Sequence, residues 1–120
     1  IDSRDIGFFA AHVLTTGGHE GKTYTLTGPA SLDMATVATQ LGAALGKTVT
    51  YVPVSVEQAV QGMAAMGLDD WMLASVRDYF TAYSNGWGDY VTDDFQRVTG
   101  KAPRPFATFA RDFVGAFGGK

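Results

Sequence analysis

Cysteine is absent from the 120 residues, which excludes disulfides, thiolate nucleophiles and cysteine-ligated metals. Histidine is scarce: His12 and His19 are the only two, with no H-x-x-x-H or H-x-E spacing to converge on an ion, so no metal site is expected. No G-x-S-x-G turn is present to raise a nucleophilic serine. No apolar run reaches the roughly 18 residues that span a bilayer, and no charged-then-apolar leader opens the chain. A basic stripe is missing too. Net charge is -3, acids and bases are interspersed, and the cluster Arg97, Lys101, Arg104 is broken by prolines and reads as a solvated face. Neither nucleic acid nor membrane is an expected partner, and the lack of cysteine fits a cytoplasmic location.

What is present has a globular character: 46% hydrophobic residues and a mean hydropathy of +0.02. A chain of this length can bury about two thirds of its unfolded surface. No repeat, low-complexity tract or long linker divides it, so residues 1–120 read as a single domain. It opens at Ile1 without a methionine, and is expected to be a piece of something longer.

Helical spacing dominates. Ile6, Phe9, Ala10, Val13 and Leu14 form one stripe, with Asp2 or Ser3 as N-cap and Gly17-Gly18 as terminator. Phe8 lies off that stripe and faces a second surface. A helix over residues 33–45 carries Met34, Val37, Ala38, Leu41 and Leu45, with Ser31 as cap and Gly46 as stop. Ser55 caps a third, with Val56, Ala59, Val60, Met63 and Met66 in register before Gly67. A fourth runs from Asp69 or Asp70 to about Ser84 and ends at Asn85-Gly86. Thr92 caps a short turn that points Phe95 and Val98 inward, and Gly100 closes it. The last helix, over residues 106–117, has the strongest stripe: Phe106, Phe109, Ala110, Phe113, Val114 and Phe117.

Two stretches read as strands. Residues 22–27 alternate threonines with Tyr24 and Leu26 and stop at Gly28-Pro29; residues 48–54 are rich in β-branched side chains, with Pro53 near an edge. The expected architecture is α/β in origin but mostly helical, with about five helices and two short strands.

The motifs occur in a recognisable order: D-x-R-D-I, G-x-T-Y-x-L-T-G-P, L-G-K, T-V-T-Y-V-P-V, M-G-L, N-G and V-T-D-D-F-x-x-V-T-G-K-x-P-R-P-F-x-x-F. Over essentially its whole length the chain resembles the carboxyl-terminal part of NmrA-like proteins, atypical members of the extended short-chain dehydrogenase/reductase superfamily. The resemblance implies a partner half: an amino-terminal Rossmann unit that holds NAD(P) through a glycine-rich turn, with this smaller lobe covering the substrate cleft. Some such proteins reduce quinones or related carbonyls, and others act as dinucleotide-binding redox sensors. This chain lacks the G-x-x-G-x-x-G turn and the centre of the nucleotide sheet, so no cofactor site is expected within it. The superfamily's Tyr-x-x-x-Lys pair is also missing, and no catalytic residue is assigned.

Apolar residues are the better site candidates. Met63, Met66, Gly67, Leu68, Trp71, Met72 and Phe80 form a wall suited to a small flat hydrophobic ligand, thioethers and aromatics being adaptable partners for one. A plain helical core is the competing reading. Tyr79 and Tyr83 share a face and read as core, while the acid pairs Asp69-Asp70 and Asp93-Asp94 sit where helices begin. With no phosphate-binding pattern, Gly28-Pro29 reads as a joint, and Tyr24, Leu26 and Phe8 share that seam with the missing half. Apolar surface so uncovered favours association, and a homodimer is expected. Three functions stay open: the substrate lobe of an oxidoreductase, inactive alone; part of a non-catalytic NAD(P) sensor; or a free-standing ligand-binding or interaction module.

Overall fold

Asp2 sets the first helix. Its carboxylate accepts the Arg4 backbone N–H at 2.8 Å, and α1 (Ser3–Thr15) follows. The structure, a computed structural model, describes residues 1–118. Beyond α1 it contains α2 (Met34–Leu45), α3 (Val56–Ala65), α4 (Asp70–Ser84), α5 (Asp94–Thr99), α6 (Phe106–Asp112) and a 3₁₀ turn at Val114–Phe117. The chain divides into two compact units: unit 1 holds Ile1–Tyr51 and the segment from Val91 onward, and unit 2 is Val52–Tyr90.

In unit 1, α1 packs on α5, and α2 packs on α6 and the 3₁₀ turn. The buried centre draws Phe9 from α1, Ala38 from α2, Phe95 from α5 and Ala110 from α6. Phe9 meets Phe95 at 6.1 Å between ring centroids and takes the Tyr24 ring edge-on at 5.3 Å. Each such ring contributes on the order of 1.5–3 kcal/mol when fully buried. After α2 the chain turns back tightly through Gly46, whose φ of 64° is left-handed. A Cβ on Gly42 would stand 2.8 Å from the Lys47 carbonyl oxygen, so glycine is needed for that close return.

Unit 2 is a helical hairpin. Ser55 and Gln58 form a reciprocal capping box for α3, and Asp69 caps α4 through the Met72 N–H at 2.8 Å. Gly67, at φ 90°, makes the bend between them. Val60 is buried, and Arg77 reaches back from α4 to Glu57 at 3.2 Å.

The helical character is as the sequence implies, but neither expected strand forms among the described residues. A strand needs a second backbone to complete its ladder. Residues 22–27 are held by side chains instead: the Thr25 N–H donates to Asp94 Oδ2 at 2.7 Å, the Thr92 N–H to Thr27 Oγ1 at 3.0 Å, and the Thr92 hydroxyl to the Thr25 carbonyl. In residues 48–54, Val52 and Val54 stand exposed. That use of Thr92 also explains why it does not cap α5, whose N-cap, Asp93, makes no side-chain capping bond. Asp33 rather than Ser31 caps α2, accepting the Thr36 N–H at 2.7 Å. The last helix is shorter than its stripe, ending at Asp112 and tightening to 3₁₀ where Gly115 weakens the helical preference.

Candidate functional site

Two arginine–carboxylate assemblies tie the start of α1 to the α6 region of unit 1. Asp5, 3% exposed, accepts the Arg104 backbone N–H at 2.6 Å and is also bonded by the Arg104 guanidinium. Arg4 grips Asp2 with its guanidinium, the closest contact being 2.6 Å, and reaches Asp112 at 2.7 Å. Its guanidinium lies over the Phe113 ring, 5.0 Å from the centroid. Hydrogen bonding from Arg4 pulls the Asp2 carboxyl down to about 2. The same bond holds Arg4 above the usual guanidinium range.

Beside these assemblies a cavity of about 570 Å³ opens. Its lining includes Gly28 and Pro29, Gln40 of α2, and Arg104, Phe106 and Phe109. The two phenyl rings are 5.8 Å apart and tilted by 35°. The turn read from sequence as a joint therefore lines a cavity. Gln40, Arg104, Phe106 and Phe109 escaped the sequence reading because they and the Gly28-Pro29 turn come from three distant stretches. The one available signal was the Gly28-Pro29 turn itself, at the end of an extended segment.

The residues singled out from sequence as an apolar wall all lie in unit 2, around the α3–α4 bend. Met63, Leu68 and Phe80 are half-buried. Met66 is 80% exposed, Trp71 77% and Met72 44%, and Gly67 is exposed between them. Tyr79 and Tyr83, expected in a core, are exposed and stack on each other at 4.4 Å. A hydrogen bond with Tyr79 pushes the Tyr83 phenol up. Of the seam residues, Phe8 contacts Phe95 and lies under the Lys101 ammonium, while Tyr24 packs on Phe9.

Both histidines are in unit 1. His19 uses both ring nitrogens, Nδ1 with the Tyr24 hydroxyl at 2.8 Å and Nε2 with Thr16 Oγ1 at 2.9 Å. Among the described residues no three histidine, aspartate or glutamate side chains converge as a metal site, and no helix is long and apolar enough to cross a membrane.

No protein-family model matches the chain. It is 39% identical over 118 residues to an NAD(P)H azoreductase of Xenophilus azovorans, an overlap of 98% of this chain and 41% of that protein. It is 36% identical over 110 residues to an uncharacterized oxidoreductase of Bacillus subtilis, covering 92% of this chain and 38% of that one. The fold matches triphenylmethane reductase of Citrobacter sp., studied for bioremediation of triphenylmethane dyes, with a TM-score of 0.79 and 26% identity across 96% of this chain and 40% of that one. That reductase complexed with NADP(H) gives a TM-score of 0.76 at 28% identity, over 93% of this chain and 39% of that one. The relatives are thus oxidoreductases, and the chain spans about two fifths of their length.

The turn at Gly28 and the start of α2 do not fit a dinucleotide phosphate. Helix α2 is the one that follows an extended segment and a glycine turn, the setting in which phosphates meet helix amides. Its N-terminus is taken by the Asp33 carboxylate, which bonding to Thr36 holds below its usual range and so ionised. A phosphate would meet negative charge there. Gly28 has no left-handed φ to build a phosphate-cradling turn.

Proposed function

We propose that this chain is the substrate-facing lobe of an NmrA-like, NAD(P)H-dependent oxidoreductase whose acceptor is a flat conjugated molecule: a quinone-like or other carbonyl compound, or a dye of the azo or triphenylmethane type. The observation that carries the reading is the exposure of Met66, Trp71 and Met72 around one bend, on a chain 39% identical to an NAD(P)H azoreductase. Large apolar groups gathered in the open suit a planar ligand, since rings and thioethers stack on flat faces with little loss of adaptability. In this reading unit 2 binds and orients the acceptor and shields it from water. The dinucleotide is held by residues outside this chain, and the chain alone turns nothing over.

The test compares the isolated chain with the protein that carries it, using NADPH and an azo dye. The isolated chain should leave both unchanged, and the whole protein should oxidise NADPH as the dye decolorises. Trp71→Ala should raise KM for the dye about tenfold, the loss of one stacked ring, with a smaller change in kcat. An unchanged KM would remove unit 2 from the site. Tight NADPH binding with no acceptor reduced would point to a sensor.

A further inference from the structure

The cavity of unit 1 has the features of a ligand site, and every residue of its lining belongs to that unit. We infer that it binds a flat aromatic molecule bearing one neutral oxygen acceptor, such as an aryl ketone. The inference rests on unit 1 alone and assumes nothing about the redox reaction.

Size comes first. A volume of about 570 Å³ lies within the roughly 300–1,000 Å³ typical of small-molecule sites. Shape and apolar chemistry follow from Pro29, Phe106 and Phe109, whose flat faces suit a planar partner. The polar lining then selects the substituent. Asp2 borders the cavity, but Arg4 engages both of its carboxylate oxygens, so it has little accepting capacity to offer. Arg104 is different. Nη1 is committed to Asp5, while Nε and Nη2 make no hydrogen bond among the described residues, and the side chain is 42% exposed. The Gln40 amide also makes none among those residues. The lining therefore presents unused donors, which an oxygen acceptor on the ligand would satisfy. A carboxylate is disfavoured, because Asp5 already neutralises the Arg104 guanidinium, and the Asp2 carboxylate on the lining, itself paired with Arg4, would repel a second anion. A neutral carbonyl accepts the same bonds without that repulsion.

The experiment is an amide chemical-shift titration of the isotopically labelled chain with 2-acetylnaphthalene, using 2-ethylnaphthalene as the matched hydrocarbon. Saturable shifts at Gly28, Gln40, Arg104 and Phe106 are expected, with the ketone bound about fivefold or more tightly than the hydrocarbon, the contribution of one hydrogen bond. Phe106→Ala should weaken the ketone about tenfold. Should that variant unfold, Gln40→Leu keeps the volume and should narrow the gap between ketone and hydrocarbon. Shifts confined to Met66 and Trp71, or no saturation, would overturn the site. Equal affinity for the two probes would overturn the acceptor assignment.

Discussion

The carboxylate of Asp5 receives both the backbone N–H and the guanidinium of Arg104, a residue 99 positions further along the chain. One side chain thus fixes the entry of α6 against the first turn of α1, and does so while 3% exposed. Arg104→Ala would leave that carboxylate buried without its charged partner. The expected loss is about 2–4 kcal/mol, shifted below the about 3–5 kcal/mol of a broken buried pair because Arg104 itself reaches solvent. Urea denaturation of the two proteins measures it. A loss within error of zero would show that water replaces the guanidinium.

Acid should weaken unit 1 in a defined window. The Asp2 carboxyl titrates near 2 in the fold against an ordinary 3.8, and Asp94 is also held low, first by the Thr25 N–H and then by Arg97. A depressed carboxyl stabilises the fold above its unfolded value and loses that contribution as pH falls through the folded one. Stability should therefore be level above about pH 4 and decline between about pH 4 and 2. Asp2→Asn should flatten part of that decline. Denaturation midpoints taken across the range supply the check.

Phe95 and Trp71 should differ sharply in their response to truncation. Phe95 is 2% exposed at the contact of α1 and α5, and Phe95→Ala should cost about 3–5 kcal/mol, a large share of the about 5–15 kcal/mol that holds an ordinary domain. Trp71→Ala should change stability by no more than about 0.5 kcal/mol, despite the larger ring. Thermal melts of both variants would settle the pair, and a large loss at Trp71 would mean that its ring packs within the chain after all.

Two helical glycines offer a matched comparison. A methyl on Gly42 would press on the Lys47 carbonyl oxygen at 2.8 Å and the Val49 nitrogen at 3.3 Å, so Gly42→Ala should cost about 1–3 kcal/mol. Gly62, inside α3, has nothing within 4 Å of such a methyl. Gly62→Ala should stabilise by about 0.5–1 kcal/mol through reduced unfolded-state freedom. The sign of each change is the readout.

Periodicity and capping chemistry carried the helices well, because both are local. Ser55 with Gln58, Asp69, Gly46 and Gly100 are where their residue types lead one to look. The misplacements share a cause. Thr92 and residues 22–27 looked like a cap and a strand, but each satisfied the other's polar groups across 65 to 67 positions. No window of a few residues contains that information. The cavity was hidden for the same reason, since Gly28, Gln40 and Phe106 meet only after folding. The residues proposed around the α3–α4 bend were easier to name as a set, because they are sequence neighbours. Their exposure was not, for a methionine stripe at helical spacing looks the same whether it faces a core or the open.

Both tryptophans, Trp71 and Trp87, fall in unit 2 and both are exposed. Indole emission accordingly originates in that unit alone. Far-ultraviolet ellipticity sees the helices of both. Following one denaturation by the two signals would show whether the units melt together or in sequence, with no label attached to the chain.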